Sequence, residues 1–240
     1  MTAEFARARS DEQRAMRRRA ILATAAEVLG DGTRVADLSL NALARRVGLA
    51  KSNVLRYFET REAVLLALLD AEYGSWLDEV EGELVQSDAP ADTASQLERI
   101  ADVISRTIAA RPMLAELVAT SAVVLEHNVS AEIAADYKRR AYAQAMRLVG
   151  LVEARLGELP DASRIALAAS VNLAIGGAWG MCRPSPGMAE AYARDPELAA
   201  MQLDYRVAVR ELVATALTGL LARSVAPWQQ NGTSTTRSRP

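Results

Sequence analysis

The chain has 240 residues, half of them hydrophobic and 24% charged, with only 13 Gly and 8 Pro. This excludes disordered and fibrous classes and leaves a folded, soluble protein with a sizeable core. One cysteine and one histidine exclude a disulfide framework and a Cys/His zinc site, and the formal charge of −2 divides unevenly: residues 1–58 carry 11 Arg or Lys against 6 acids, residues 59–240 carry 17 against 24.

Ala and Leu dominate and no stretch alternates with period two, so the expected class is all-α, in a reducing, cytoplasmic setting. The N-terminus is basic and lacks the apolar core of a signal peptide. Ser10 and Gln13 read as a capping box opening a first helix, with Ile21, Leu22, Ala25, Val28 and Leu29 on one face and Gly30 and Gly32 at its end. Arg14, Arg17, Arg18 and Arg19 crowd its exposed start, either as a solvated face or as phosphate contacts. Ser39 caps a second helix whose Leu40, Leu43, Ala44 and Val47 share a face. Gly48 supplies a positive φ for a tight turn and Leu49 plugs the angle. A third helix over 50–57 turns Val54, Leu55 and Phe58 inward and leaves Lys51, Ser52, Asn53, Arg56 and Tyr57 outside.

Thr60 caps a longer helix carrying Val64, Leu65, Leu68, Leu69, Trp76, Leu77 and Val80 to about residue 85. Residues 87–92, with Pro90, form the expected joint, dividing the chain into a head at 1–58, a connecting helix at 59–86 and a body at 87–225. Helical patterns follow at 93–110, 112–126, 130–159, 161–182 and 196–224. Pro112 and Pro196 suit first-turn positions, and Ser130, Asp161 and Asp195 suit caps. Residues 226–240 lack periodicity and are expected to be a disordered tail. Residues 165–182 carry no charge and reach the crude length of a membrane span. Ser170, Asn172, Gly176, Gly177 and Gly180, and the lack of a second such stretch, favour a buried helix that lets a neighbour approach closely.

The segment 39–65 meets the physical demands of a helix-turn-helix in order: a small residue at the crossing (Ala44), a turn residue tolerant of positive φ (Gly48), an apolar plug (Leu49) and a short polar-faced helix for the major groove. It resembles the DNA-binding head of the TetR family of bacterial transcriptional regulators. The resemblance rests on Ser39, Leu43-Ala44, Val47-Gly48-Leu49, Lys51, Tyr57-Phe58 and Thr60-Arg61-Glu62, and spans roughly residues 12–70. It implies that Ser39, Tyr57 and Arg61 touch phosphates, while Lys51, Ser52, Asn53 and Arg56, and more weakly Arg45, face base edges. Ala50 stands where the family often has a capping Ser or Thr, a loss of about 1 kcal/mol. Arg56 replaces a frequent His or Tyr, leaving its contact open between base and phosphate.

The resemblance also implies a helical-bundle body that binds a small molecule and a four-helix dimer interface made by the last two long helices. The final stripe, Leu198, Met201, Tyr205, Val209, Leu212, Ala216 and Leu220, is broader than one inner face needs. A homodimer on a roughly palindromic operator also follows from DNA geometry, since one short reading helix covers few base pairs. Pocket candidates are Met113, Leu117, Tyr137, Tyr142, Met146, Trp179 and Met181, with Ser121, His127 and Asn172 as polar anchors for an apolar or weakly polar effector. Cys182 lacks a resolving cysteine for redox sensing. No cofactor, metal or membrane partner is expected. No glycine-rich phosphate loop, nucleophile elbow or His dyad supports an enzyme. The expected function is a ligand-responsive transcriptional regulator, a repressor in the first instance. A transcription factor without an effector and a helical carrier of lipophilic ligands stand as alternatives.

Overall fold

The computed structural model describes residues 2–86 and 92–225, and among these every regular element is a helix. The tail at 226–240 and most of the joint at 87–92 lie outside the described residues. The head holds α1 (Thr2–Gly30), α2 (Leu40–Val47) and α3 (Lys51–Leu55). Because α1 starts at Thr2, Ser10 lies within the helix and opens nothing. Residues 3–9 are mainly Ala, Arg and Glu, strong helix formers that carry the helix through the cap signal. Ile21, Ala25 and Leu29 form its buried edge, and Gly32, at φ 96°, turns the chain away.

Leu43, Ala44, Val54 and Phe58 are all buried, so the crossing of α2 and α3 is closed as expected. Gly48 adopts the left-handed region (φ 73°), and the Leu49 amide donates to the Ala44 carbonyl at 2.9 Å. Leu55 departs from expectation at 40% exposed. Adjacent helical positions differ by about 100°, and Val54 already takes the inward one in this five-residue helix.

The helix α4 (Arg61–Gln86) runs from head to body with an unbroken inner stripe that includes Val64, Leu68, Tyr73, Trp76 and Val80. The Trp76 indole donates to the Thr107 hydroxyl at 2.9 Å, both buried, and pins α4 to α5 (Thr93–Ala109). α6 (Pro112–Ser121) stops earlier than expected. There the Ser121 hydroxyl bonds back to the Val118 carbonyl, two exposed β-branched residues follow, and a 3-10 turn spans Leu125–Asn128. α7 (Ala131–Leu156) is capped by Ser130 and halted by Gly157, at φ 88°, three residues short of the expected end.

In α8 (Asp161–Met181) the cap position is held by Pro160, and Asp161 is a first-turn acid, so the expected Asp161 cap is corrected. A Cβ on Gly176 would lie 3.2 Å from the Ala119 Cα, so this glycine sets how closely α8 approaches α6; Gly177 and Gly180 meet open space instead. An additional helix, α9 (Pro186–Arg194), precedes the expected final helix, which is itself broken into α10 (Pro196–Ala199) and α11 (Tyr205–Val225). Ser185 and Asp195 cap the first two, and the Asp204 carboxylate accepts the Val207 amide at 2.9 Å, starting α11 afresh. Leu198 and Met201 therefore lie outside the last helix and are exposed, while Val209 and Leu220 are buried against α5 and α8. Outward-facing Ile165, Leu173 and Met181 on α8 and Val207 and Leu212 on α11 leave apolar surface on both helices. Among the described residues no single helix is long and apolar enough to cross a membrane.

Candidate functional site

Two regions collect the chemistry. In the head, Arg45, Lys51, Ser52, Asn53 and Arg56 are all exposed on α2 and around α3. Ala50 makes no side-chain cap, yet α3 begins directly after it. Ser39 is exposed and its hydroxyl accepts the Ala42 amide at 3.1 Å, which holds the start of α2. Tyr57 is half-buried, and with Arg14, Arg17 and Arg56 it lines a groove between α1 and α3. Three guanidinium groups on one groove make a surface suited to phosphate.

Two further arginines play another part. Arg18 donates to the Tyr57 carbonyl and stacks 4.1 Å over the Phe58 ring, so it ties α1 to the segment that follows α3. Burial, then the neighbouring Arg14 and Arg140, lower its pKa. Arg61 donates to the carbonyls of Ala36 (2.8 Å) and Leu38 (3.3 Å) and pairs with Glu62 at 3.0 Å. Its guanidinium braces the turn that leads into Ser39 and is largely occupied within the chain.

In the body, a cleft of about 580 Å³ opens between α4, α6, α7 and α8. Of the ten residues expected to line a pocket it gathers three: Ser121, Tyr137 and Asn172. Leu117, one turn before Ser121 on α6, is fully buried in the core. Met113 and Met146 pack partly buried against that core. Trp179 meets the Tyr205 ring edge-on at 5.3 Å and lies under Arg183 at 4.4 Å, joining α8 to α11. Tyr142, Met181 and His127 are exposed and line no part of the cleft. For His127 the cause is the 3-10 turn, which buries Leu125 instead.

The missed lining residues come from all four helices and the turn after α6, and α4 contributes Leu69, Asp70 and Tyr73. The signal was present in the spacing, since Tyr73 falls four residues after Leu69 and three before Trp76 on the same inner stripe. The Tyr73 hydroxyl is buried beside Asn172 and completes no hydrogen bond. Asn172 commits its amide nitrogen to the Ala168 carbonyl at 2.9 Å. Burial and the nearby Glu126 carboxylate push the Tyr137 phenol up to about 12, so it remains a neutral hydrogen-bonding group. Burial also raises the Cys182 thiol, the opposite of what a reactive thiolate needs. Among the described residues no cluster of three potential metal ligands occurs.

One body helix touches both regions. The end of α6 carries Val118 and Ser121 into the cleft, while its Glu116 carboxylate accepts the buried Val35 amide of the head at 3.0 Å.

Residues 70–224 match the family model described as tetracyclin repressor-like, C-terminal domain. The matched span begins inside α4, in the stretch that supplies Asp70 and Tyr73. Among solved structures the chain is similar to the fatty acid degradation regulator FadR from Bacillus halodurans, with 15% identity and a TM-score of 0.45 over 83% of this chain and 94% of that one. No curated protein matches the chain.

Proposed function

Because the chain belongs to the tetracyclin repressor-like family of transcriptional regulators, we propose that it represses transcription in the cytoplasm as a homodimer on a roughly palindromic operator, and that a small molecule in the cleft releases it. The observation that carries this reading is the exposed face of α3, where Lys51, Asn53 and Arg56 stand beside the Arg14 and Arg17 groove. Asn53 is suited to adenine and Arg56 to guanine in the major groove, with Lys51, Ser52 and Arg45 flanking them. Ser39 and Tyr57 position the head on phosphates. Arg61 acts through its charge and by bracing the preceding turn.

The chain divides into a reading head at 1–58, a connecting α4 that also floors the cleft, and a dimerising body to residue 225. α6 supports a ligand response because it bridges cleft and head: a ligand that moves its Ser121 end shifts the Glu116 anchor and changes the spacing of the two heads. The ligand selects among head spacings and so lowers DNA affinity by its differential affinity for them.

Selection of bound DNA from a random pool, followed by gel shift, tests the reading. The expected result is one inverted-repeat sequence whose affinity falls steeply with salt, and falls again in Arg56→Ala and Tyr57→Ala proteins that keep their thermal stability. Unchanged affinity in both variants, or binding without sequence enrichment, overturns it.

A further inference from the structure

The chemistry lining the cleft specifies a class of effector. Asp70 and Glu126 bring two carboxylates to it, and Lys138 brings the one ammonium. That ammonium already occupies a corner of the cleft, 2.7 Å from the Glu126 carboxylate and 5.6 Å from the centre of the Tyr137 ring. A carboxylate beside an aromatic face is the pairing that holds an alkylammonium. The lysine is a loose occupant: its side chain is 61% exposed, against 22% for Glu126, and its four-carbon stem can swing into solvent. Asp70, 21% exposed, is held by Arg140 at 3.2 Å, and Arg140 lies outside the cleft. Beyond the charged corner Leu69, Val118, Ala141 and Leu173 make an apolar wall, with Ser121, Gln144 and Asn172 as uncharged polar groups among it. The Tyr73 hydroxyl, 7% exposed and without a partner, supplies a further group that a ligand can satisfy.

Resting on the reading of this cleft as the effector site, we propose that its ligand is an amphipathic organic cation, whose ammonium displaces that of Lys138 from Glu126 and the Tyr137 ring while its apolar body covers the wall of Leu69, Val118 and Leu173. An anionic ligand of the same shape meets two carboxylates and one lysine that is already paired. A neutral one gains the apolar wall and leaves the corner to Lys138.

Three ten-carbon probes separate these cases on the full-length protein without DNA: decylammonium, decanoate and decanol, each below its aggregation concentration, followed by titration calorimetry. Decylammonium is expected to bind at least about tenfold more tightly than either other probe. Glu126→Gln, which keeps shape and removes charge, is expected to abolish that preference. Lys138→Ala removes the internal competitor and is expected to tighten decylammonium about threefold or more. Equal or tighter binding of decanoate or decanol, weaker decylammonium binding by Lys138→Ala, or no binding by any probe overturns the proposal. Operator release is then measured separately. Decylammonium that binds yet leaves the operator complex intact sustains the ligand class and sinks the ligand-responsive reading; release by decanoate alone does the reverse.

Discussion

Arg17 and Arg18 are neighbours in sequence with opposite employment. Arg17 is exposed on the groove shared with Arg56, whereas Arg18 is partly buried over Phe58 with its guanidinium on the Tyr57 carbonyl. Removing Arg18 therefore takes away a stacked cation and a hydrogen bond. Arg18→Ala is expected to cost about 1–2 kcal/mol in denaturant unfolding. Arg17→Ala is expected to leave stability unchanged and to reduce the slope of log affinity against log salt by about 1. A second residue-scale contrast lies in the body, where Thr107 accepts the Trp76 indole and donates to the Val103 carbonyl at 2.7 Å. Thr107→Val keeps the shape and strands a buried donor, with an expected loss of about 1–3 kcal/mol seen as a lower urea midpoint at constant slope.

Among the elements, α8 shows how backbone proximity limits side-chain choice. At Gly176 the neighbour that a new Cβ meets is main chain, Ala119, which has no flexible end to move aside. Gly176→Val is expected to destabilise by about 1–3 kcal/mol and to close the cleft it lines, whereas Gly150→Val on α7, facing open space, is expected to leave stability unchanged or slightly raised, because Gly has the lower helix propensity. Thermal melts of the two proteins measure the difference. The same elements show what was legible in sequence. The start of α2 and its turn were readable to the residue, because Ser39, Ala44, Gly48 and Leu49 each meet a local geometric demand that few residue types satisfy, whereas α3 ends at Leu55, two residues before its expected end, and leaves Leu55 exposed. The break before α11 was not, because Asp204 as a cap competes with a hydrophobic stripe that continues through it, and periodicity alone cannot rank the two. The cleft was legible only in part. Ser121, Tyr137 and Asn172 converge on it, yet Trp179 and Leu117 have the same composition of signals and serve packing instead. Which apolar residue lines a void is decided by how helices cross, and that is a property of pairs of elements.

For the whole molecule, two long helices carry apolar surface outside the cleft that the chain itself leaves uncovered, at Ile165 and Met181 on α8 and Val207 and Leu212 on α11. A symmetry mate is the partner the proposed DNA geometry requires. Leu212→Glu, half-exposed and away from the cleft, is expected to raise the dimer dissociation constant about tenfold or more in sedimentation, with helix content unchanged and operator affinity reduced. A variant that stays dimeric at micromolar concentration removes α11 from the interface.

The bond from Glu116 to the Val35 amide has an evolutionary reading. It grips a main-chain amide, which every amino acid but proline supplies, although the Val35 side chain is itself buried. On the proposed function, this contact makes little demand on the exposed side chains of α3, so the reading surface is free to drift toward new operators while the body stays as it is. A chimera carrying a relative's first 58 residues on this body should obey this protein's effector at the relative's promoter, the behaviour of interchangeable parts.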